Sequence, residues 1–419
     1  MNETAASAQP TASSKGSAVR QRLDRLEGYL REDPQNQALL IDAFETALRC
    51  GEWSRAQFHL RHGQALQTEA LAWQLREGDY WLAQRNHAQA RLVLEALLDS
   101  PNPPPGFADV VLHNLAYIDL RGGNFVDCVT RLAARMTPAP ASGPGAASAS
   151  EAMGAAESAL QQLWLRALHH AGELERACAW ASSAEQAHSL DSQAAGVASL
   201  AALDAGQMEM AQRWSALALS GGQSMEALVT QASIALAARD AGRARELADA
   251  ALQINPGDGR AWSARAFAQL LAGALPAARD DFSKALQAMP EHIGTWHGQG
   301  WTQLLQKDFA AAQTSFETAL SLDRNFAESH GGLAVVLALR QQAHAAQEHI
   351  ERALRLDSSN LSGRYAQALL NGEVKDSQTL QRLAKRLLGN RAAPLGGQMA
   401  DLIAPGTDGF DAKTQPPAD

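Results

Sequence analysis

The 419-residue chain spends only 5% of its positions on aromatics and carries a formal net charge of -9. Alanine is abundant and no stretch alternates β-branched with polar residues, so the composition predicts an all-α fold and excludes a sheet-built one. No basic block interrupts the acidic balance, which excludes a nucleic-acid surface, since phosphate binding needs clustered Lys and Arg.

Residues 1–17 are small and polar and are expected to be disordered; they lack the apolar core of a secretory signal or a spanning helix. With no lipidation motif at either end, direct membrane insertion is not expected, the predicted location is cytoplasmic, and any tie to a membrane or secretion assembly would run through a partner. Cys50, Cys128 and Cys178 are odd in number and far apart. That suits neither a disulfide framework nor a metal site, and it fits a reducing compartment.

An N-terminal arm is predicted over 18–136. Leu23, Leu26 and Leu30 ahead of Asp33-Pro34 read as a capping helix. About three degenerate helix pairs follow: 37–70 with Gly51, Ala56 and Leu60; 71–104 with Gly78, Trp81, Ala90, Leu94 and Leu97; and 109–138 with Ala116, Gly123, Phe125 and Leu132. Residues 137–156 turn to Pro, Ala, Ser and Gly, a linker expected to divide two arms and read as an inert insertion in preference to a working hinge.

From 157 to 360 the chain keeps a period of 34 residues. Trp180, Trp214, Phe282 and Phe316 share one lattice, with Ala248 and Ile350 on its other points. Small residues recur in phase as Ala198, Ala232, Ala266, Gly300 and Ala334; as Ala244, Ala278, Ala312 and Ala346; and as Ala251, Ala285, Ala319 and Ala353. Stacked antiparallel helix pairs account for this, because close crossings need small contact points with bulk beside them. The expected units are 157–190, 191–224, 225–258, 259–292, 293–326 and 327–360, without insertion. Trp164, Arg176 and Met210 fall on small-residue columns in this frame, which predicts relaxed crossing after the linker. Closing helices are expected over 361–389, as Leu361 to Leu370 and Gln378 to Leu388, and then a flexible tail, 390–419, with Met399, Leu402 and Ile403.

Unit 259–292, with Trp262, Ala266, Ala278, Phe282, Ala285 and Pro290, resembles the tetratricopeptide repeat (TPR) family, and the next unit repeats the pattern with Trp296, Gly300, Ala312, Phe316 and Ala319. The resemblance implies a right-handed α-solenoid of stacked helix-turn-helix repeats whose first helices line a concave, protein-binding groove. In that frame the groove residues are Val229, Ser263, Phe267, His297, Gly298, Trp301, Gly331, Gly332, Val335 and Tyr365, with Ser233 beside them. Family members that clamp a C-terminal carboxylate carry Lys and Asn at the fifth and ninth positions of an early repeat. No unit here has that pair, so an apolar peptide or helix is the expected ligand.

Gly298, Gly331 and Gly332 each weaken a helix by about 1 kcal/mol relative to Ala. Two accounts are open: a hollow beside His297 and Trp301 that takes a partner's side chain, or Trp301 packing over the glycines. The upstream groove is more polar, with Glu45, Arg76, Asp79, His113, Asn114, Tyr117 and Arg121.

No catalytic, cofactor or metal residues are assigned. His59 and His62 lack a third ligand, the adjacent His169 and His170 diverge on a helix, and His344, Glu348 and His349 suit a solvated face better than a metal pair. Gly221-Gly222 and Gly331-Gly332 have no strand before them and no Lys after them, so they are not phosphate loops. The expected function is a non-enzymatic protein-protein interaction scaffold or adaptor, bacterial in the style of its Ala-rich repeats. A chaperone for a secretion- or pilus-type substrate, or a regulatory subunit of a separate enzyme, are the alternatives.

Overall fold

The computed structural model describes residues 12–66, 68–136 and 151–373, and every element among them is an α-helix. The linker core at 137–150, the closing helix expected at 378–388 and the tail with Met399, Leu402 and Ile403 lie outside the described residues.

A first helix, α1 (Ala12–Glu32), is followed by α2 (Gln37–Cys50) and α3 (Trp53–Ala65), α4 (Ala70–Ala83) and α5 (His87–Leu98), and α6 (Phe107–Arg121) and α7 (Phe125–Met136). Next come α8 (Glu151–His170) and α9 (Leu174–Gln186), α10 (Ser192–Asp204) and α11 (Met208–Ser220), and α12 (Met225–Ala237) and α13 (Ala241–Ile254). The last are α14 (Gly259–Leu271) and α15 (Leu275–Ala288), α16 (Ile293–Leu305) and α17 (Phe309–Leu322), α18 (Ala327–Leu339) and α19 (Ala343–Leu356), and α20 (Leu361–Leu370).

One left-handed residue closes the turn inside each of these pairs: Gly51, Arg85, Gly123, Gly172, Gly206, Arg239, Gly273, Lys307 and Gln341, with φ between 60° and 76°. Such a residue ends the first helix in a reversal short enough for the second to return along it. Side-chain caps start many of the helices. Asp191, Ser224, Asp258, His292 and Asn360 each accept a backbone N–H in the first turn of α10, α12, α14, α16 and α20.

The contacts divide the chain into two compact units, 1–176 and 177–419, with the division inside α9. The division expected from composition lies upstream, at 137–156. The helix after the linker, α8, packs on α6 and α7 and buries Leu160, Leu163, Leu165 and Leu168. In the first unit Leu23, Leu26 and Leu30 of α1 are buried in one cluster with Leu40, Ala43 and Phe44 of α2.

The frame expected for the second unit needs a correction of one residue. Starts of α12, α14, α16, α18 and α20 are 34 apart, but α10 starts at Ser192 and α12 at Met225, 33 apart. Helix α11 has 13 residues where α13, α15, α17 and α19 have 14. It ends at Gly221-Gly222, and Gly222 takes φ 139°, a conformation open to glycine. The structural counterparts of Ala244 are therefore Ala211 and Ala177, both fully buried, and not Met210 and Arg176. Trp214 leaves the Phe282 column, which Ser215 joins; the indole instead donates to Glu185 Oε2 at 3.0 Å from within the core.

Within the second unit each first helix packs on the next first helix, α10 on α12 and so on to α18 on α20. First helices thus form one layer and second helices the other. Phe282, Phe316 and Ile350 fill the space between layers, and Ala244, Ala278, Ala312 and Ala346 let the pairs close. Helix α18 is buried from Ser329 through Leu337, the fate of a helix apolar all round.

Candidate protein-binding face

Seven of the ten expected groove residues, Val229, Ser263, His297, Gly298, Gly331, Gly332 and Val335, are buried, while Phe267, Trp301 and Tyr365 are half-buried. The column Val229, Ser263, His297 and Gly331 joins successive first helices. Val229 shares a buried cluster with Ala261. Ser263 Oγ lies 3.1 Å from Thr295 Oγ1, and His297 Nε2 lies 2.8 Å from Ser329 Oγ. A Cβ on Gly331 would come within 3.0 Å of the Gly363 nitrogen. Burial drives the His297 imidazole down to a pKa of about 4, so it is neutral at physiological pH.

The glycines have a packing explanation that neither expected account contained. A Cβ on Gly298 would sit 2.4 Å from the Phe282 ring and 2.9 Å from Phe267, and one on Gly332 would sit 2.4 Å from Phe316. Gly300 meets Phe316 at 2.9 Å in the same way. The aromatic column between the layers therefore occupies the room the glycines leave. Trp301 meets Phe316 edge-on at 5.5 Å and packs beside Leu304.

Several apolar side chains stay partly open on this layer. Phe267 and Leu271 of α14 are half-buried, as is Trp301 of α16, whereas Leu305 is 55% exposed and Leu339 of α18 is 36% exposed. Leu271 lies four residues beyond Phe267, and Leu305 four beyond Trp301, which puts each pair on one helix face. The three leucines recur every 34 residues, the signal that would have found them. Tyr365 of α20 packs with Val335, Leu369 and Leu370 at the end of the row.

A second column ties each pair to the turn before it. Trp262 and Trp296 donate indole N–H groups to the carbonyls of Pro256 and Pro290 at 2.8 and 2.7 Å. At the same repeat position His330 Nε2 lies 3.1 Å from the Arg324 carbonyl, and Arg364 donates to the Ser358 carbonyl at 2.7 Å. Gln231, Arg265 and Gln299, also 34 apart, donate to Ser215, Asp249 and Ser283 of the preceding second helix.

In the first unit the corresponding layer is polar. Asn114 of α6 donates to Asp79 of α4 at 3.0 Å. Burial lifts the Asp79 carboxyl to a pKa of about 6 against the pull of Asn114 and Arg76, with Glu45 adding like charge. His113 bonds the Asn114 side chain at 3.2 Å, Tyr117 is 39% exposed, and Glu45 and Arg121 are exposed.

Among the described residues no group of three His, Cys, Asp or Glu forms a ready metal-ligand set, and no helix is long and apolar enough to cross a membrane. Burial raises the thiols of Cys128, to about 12, and Cys178. His59 is spoken for by Glu27 at 3.1 Å, and His170 stacks on Phe125.

The tetratricopeptide repeat family model matches residues 293–326, which hold α16 and α17. The sequence matches none of the curated proteins at a significant level. Among solved structures, the chain is similar to a chain of the APC/C hetero-tetramer Cut9-Hcn1, at 12% identity and TM-score 0.45 over 86% of this chain and 94% of that one. A tetratricopeptide repeat protein from Parabacteroides merdae gives 14% identity and TM-score 0.38 over 72% and 98%. PilF of Pseudomonas aeruginosa gives 20% and 0.35 over 47% and 82%. These likenesses are too distant to bear on function. Residues 293–326 thus form a tetratricopeptide repeat, and the helix pairs on either side of it in the second unit repeat its architecture.

Proposed function

We propose that the chain is a protein-interaction scaffold, not a catalyst, and that the first-helix layer of its second unit receives an apolar segment of a partner protein. The observation that carries this reading is the row Phe267, Leu271, Trp301, Leu305 and Leu339, apolar side chains left partly open on three neighbouring first helices. A contiguous apolar surface rimmed by polar residues is the usual mark of a docking site, and aromatic anchors dominate such interfaces. Val229, Ser263, His297, Gly298, Gly331, Gly332 and Val335 serve this face from beneath, by fixing the spacing of the helices that present it.

The test is affinity capture from the native host with wild type and Leu305→Asp. Leu305 is the better probe than Trp301, whose truncation would disturb the core beside Phe316. Partners retained by wild type and lost with Leu305→Asp, at unchanged helicity and Tm, support the reading. Undiminished capture of every partner by Leu305→Asp would overturn it.

A further inference from the structure

The fourth-position column contains one member with chemistry to spare. In each repeat from α14 to α20 that side chain donates to the carbonyl six residues earlier, and in α18 the donor is His330 Nε2. A neutral imidazole carries one N–H, so donation through Nε2 leaves Nδ1 of His330 as a bare lone pair. That lone pair faces α19, where His349 Nδ1 lies 2.9 Å away with the rings 5.1 Å apart. His349 therefore donates its Nδ1 proton to His330, and a single proton holds two ring nitrogens together across the helix pair.

This is the arrangement from which metal-binding histidines are built. Ligating imidazoles hand their second nitrogen's N–H to a backbone carbonyl, which fixes the tautomer and aims the lone pair at the ion. We propose that His330 and His349 form a two-imidazole site for a borderline divalent transition ion such as zinc, each ligating through Nδ1 across the α18–α19 pair. The ion takes the place of the bridging proton, which moves to Nε2 of His349, so no net proton is released while both rings are neutral.

Geometry asks for little movement. Two bonds of about 2.0–2.1 Å at a tetrahedral angle span roughly 3.3 Å between nitrogens, so the pair must open by a few tenths of an ångström. Among the described residues no third His, Cys, Asp or Glu completes the set, so water would supply the remaining ligands. Glu317 and Glu348 lie near enough to act on His349 as negative charges, and Arg352 opposes them from α19. Burial holds both imidazoles below their ordinary pKa, in the neutral form that an ion requires. His330 is buried and His349 half-buried, so the ion enters from the α19 side. A zinc ion there would bind the last full pair together, at a place separate from the docking row.

The experiment is calorimetric titration of the full chain with zinc, for wild type, His349→Gln and His344→Gln, each checked for native helicity. His344 is the control because it is 93% exposed and stands 3.6 Å from Glu348 on the same helix, the competing surface site. The expected result is one ion per chain in wild type, affinity lower by about tenfold or more in His349→Gln, and no change in His344→Gln. A zinc-dependent rise in Tm should be present in wild type and absent in His349→Gln. Failure of wild type to bind one ion per chain, equal binding by His349→Gln, or a loss in His344→Gln as large as in His349→Gln would each overturn the assignment.

Discussion

At the scale of single residues, His297 shows how a side chain suited to recognition becomes part of the frame. It bonds Ser329, rests against Phe316 and Phe326, and is held neutral by burial, with a pKa of about 4. In the unfolded chain its pKa returns to about 6.5. Between these values the unfolded state binds a proton that the folded state refuses, so the stabilisation is complete above about pH 6.5 and disappears as pH falls toward 4. The drop corresponds to roughly 3 kcal/mol. Urea unfolding at pH 7 and pH 4.5 should therefore show a smaller loss of stability in His297→Gln than in wild type, and equal losses would contradict the burial account. The glycines invite a second measurement. Gly332→Ala drives a methyl into the Phe316 ring, an overpacking that costs about 1–3 kcal/mol. Combining it with Phe316→Leu should cost less than the sum of the two changes, and strict additivity would show that the ring is not what the glycine accommodates.

At the scale of elements, the turn inside each helix pair is fixed by one left-handed residue, and four of the nine are not glycine: Arg85, Arg239, Lys307 and Gln341. An L-residue in this conformation costs roughly 1–2 kcal/mol, partly offset by the larger entropy glycine would lose on folding. Lys307→Gly and Gln341→Gly should each raise stability by about 0.5–1 kcal/mol, seen as a higher urea midpoint at unchanged slope. A lower midpoint would mean that the side chain contributes more than its backbone costs. Helix α11 carries the opposite lesson. Its early end at Gly221-Gly222 moves everything before it by one residue relative to the later repeats, and Ala211 and Ala177 still stand, fully buried, at the position of Ala244.

At the scale of the whole molecule, a row of repeats is stabilised by nearest neighbours, so its ends should open before its middle. Within the second unit, α14 to α17 have a pair on either side and hold Phe282 and Phe316 fully buried, whereas α20 closes the described row. Amide exchange should be slowest in α14–α17 and fastest in α20. Uniform protection along the unit would show that it unfolds all at once.

The 34-residue period and most of the small-residue columns were legible in the amino-acid order, because close crossings favour small side chains and repeat them from pair to pair. Trp262, Phe282, Phe316 and the alanines around them sufficed for the repeat class. The sequence by itself could not place the one-residue shortening at Gly221-Gly222, since Trp180 and Trp214 continue the wrong lattice as convincingly as the right one. Nor could it say which first-helix residues stay open to solvent. That depends on how closely consecutive first helices approach, which is long-range packing. Their approach buries Val229, Ser263, His297 and Gly331, and leaves Leu305 and Leu339 open at the helix ends.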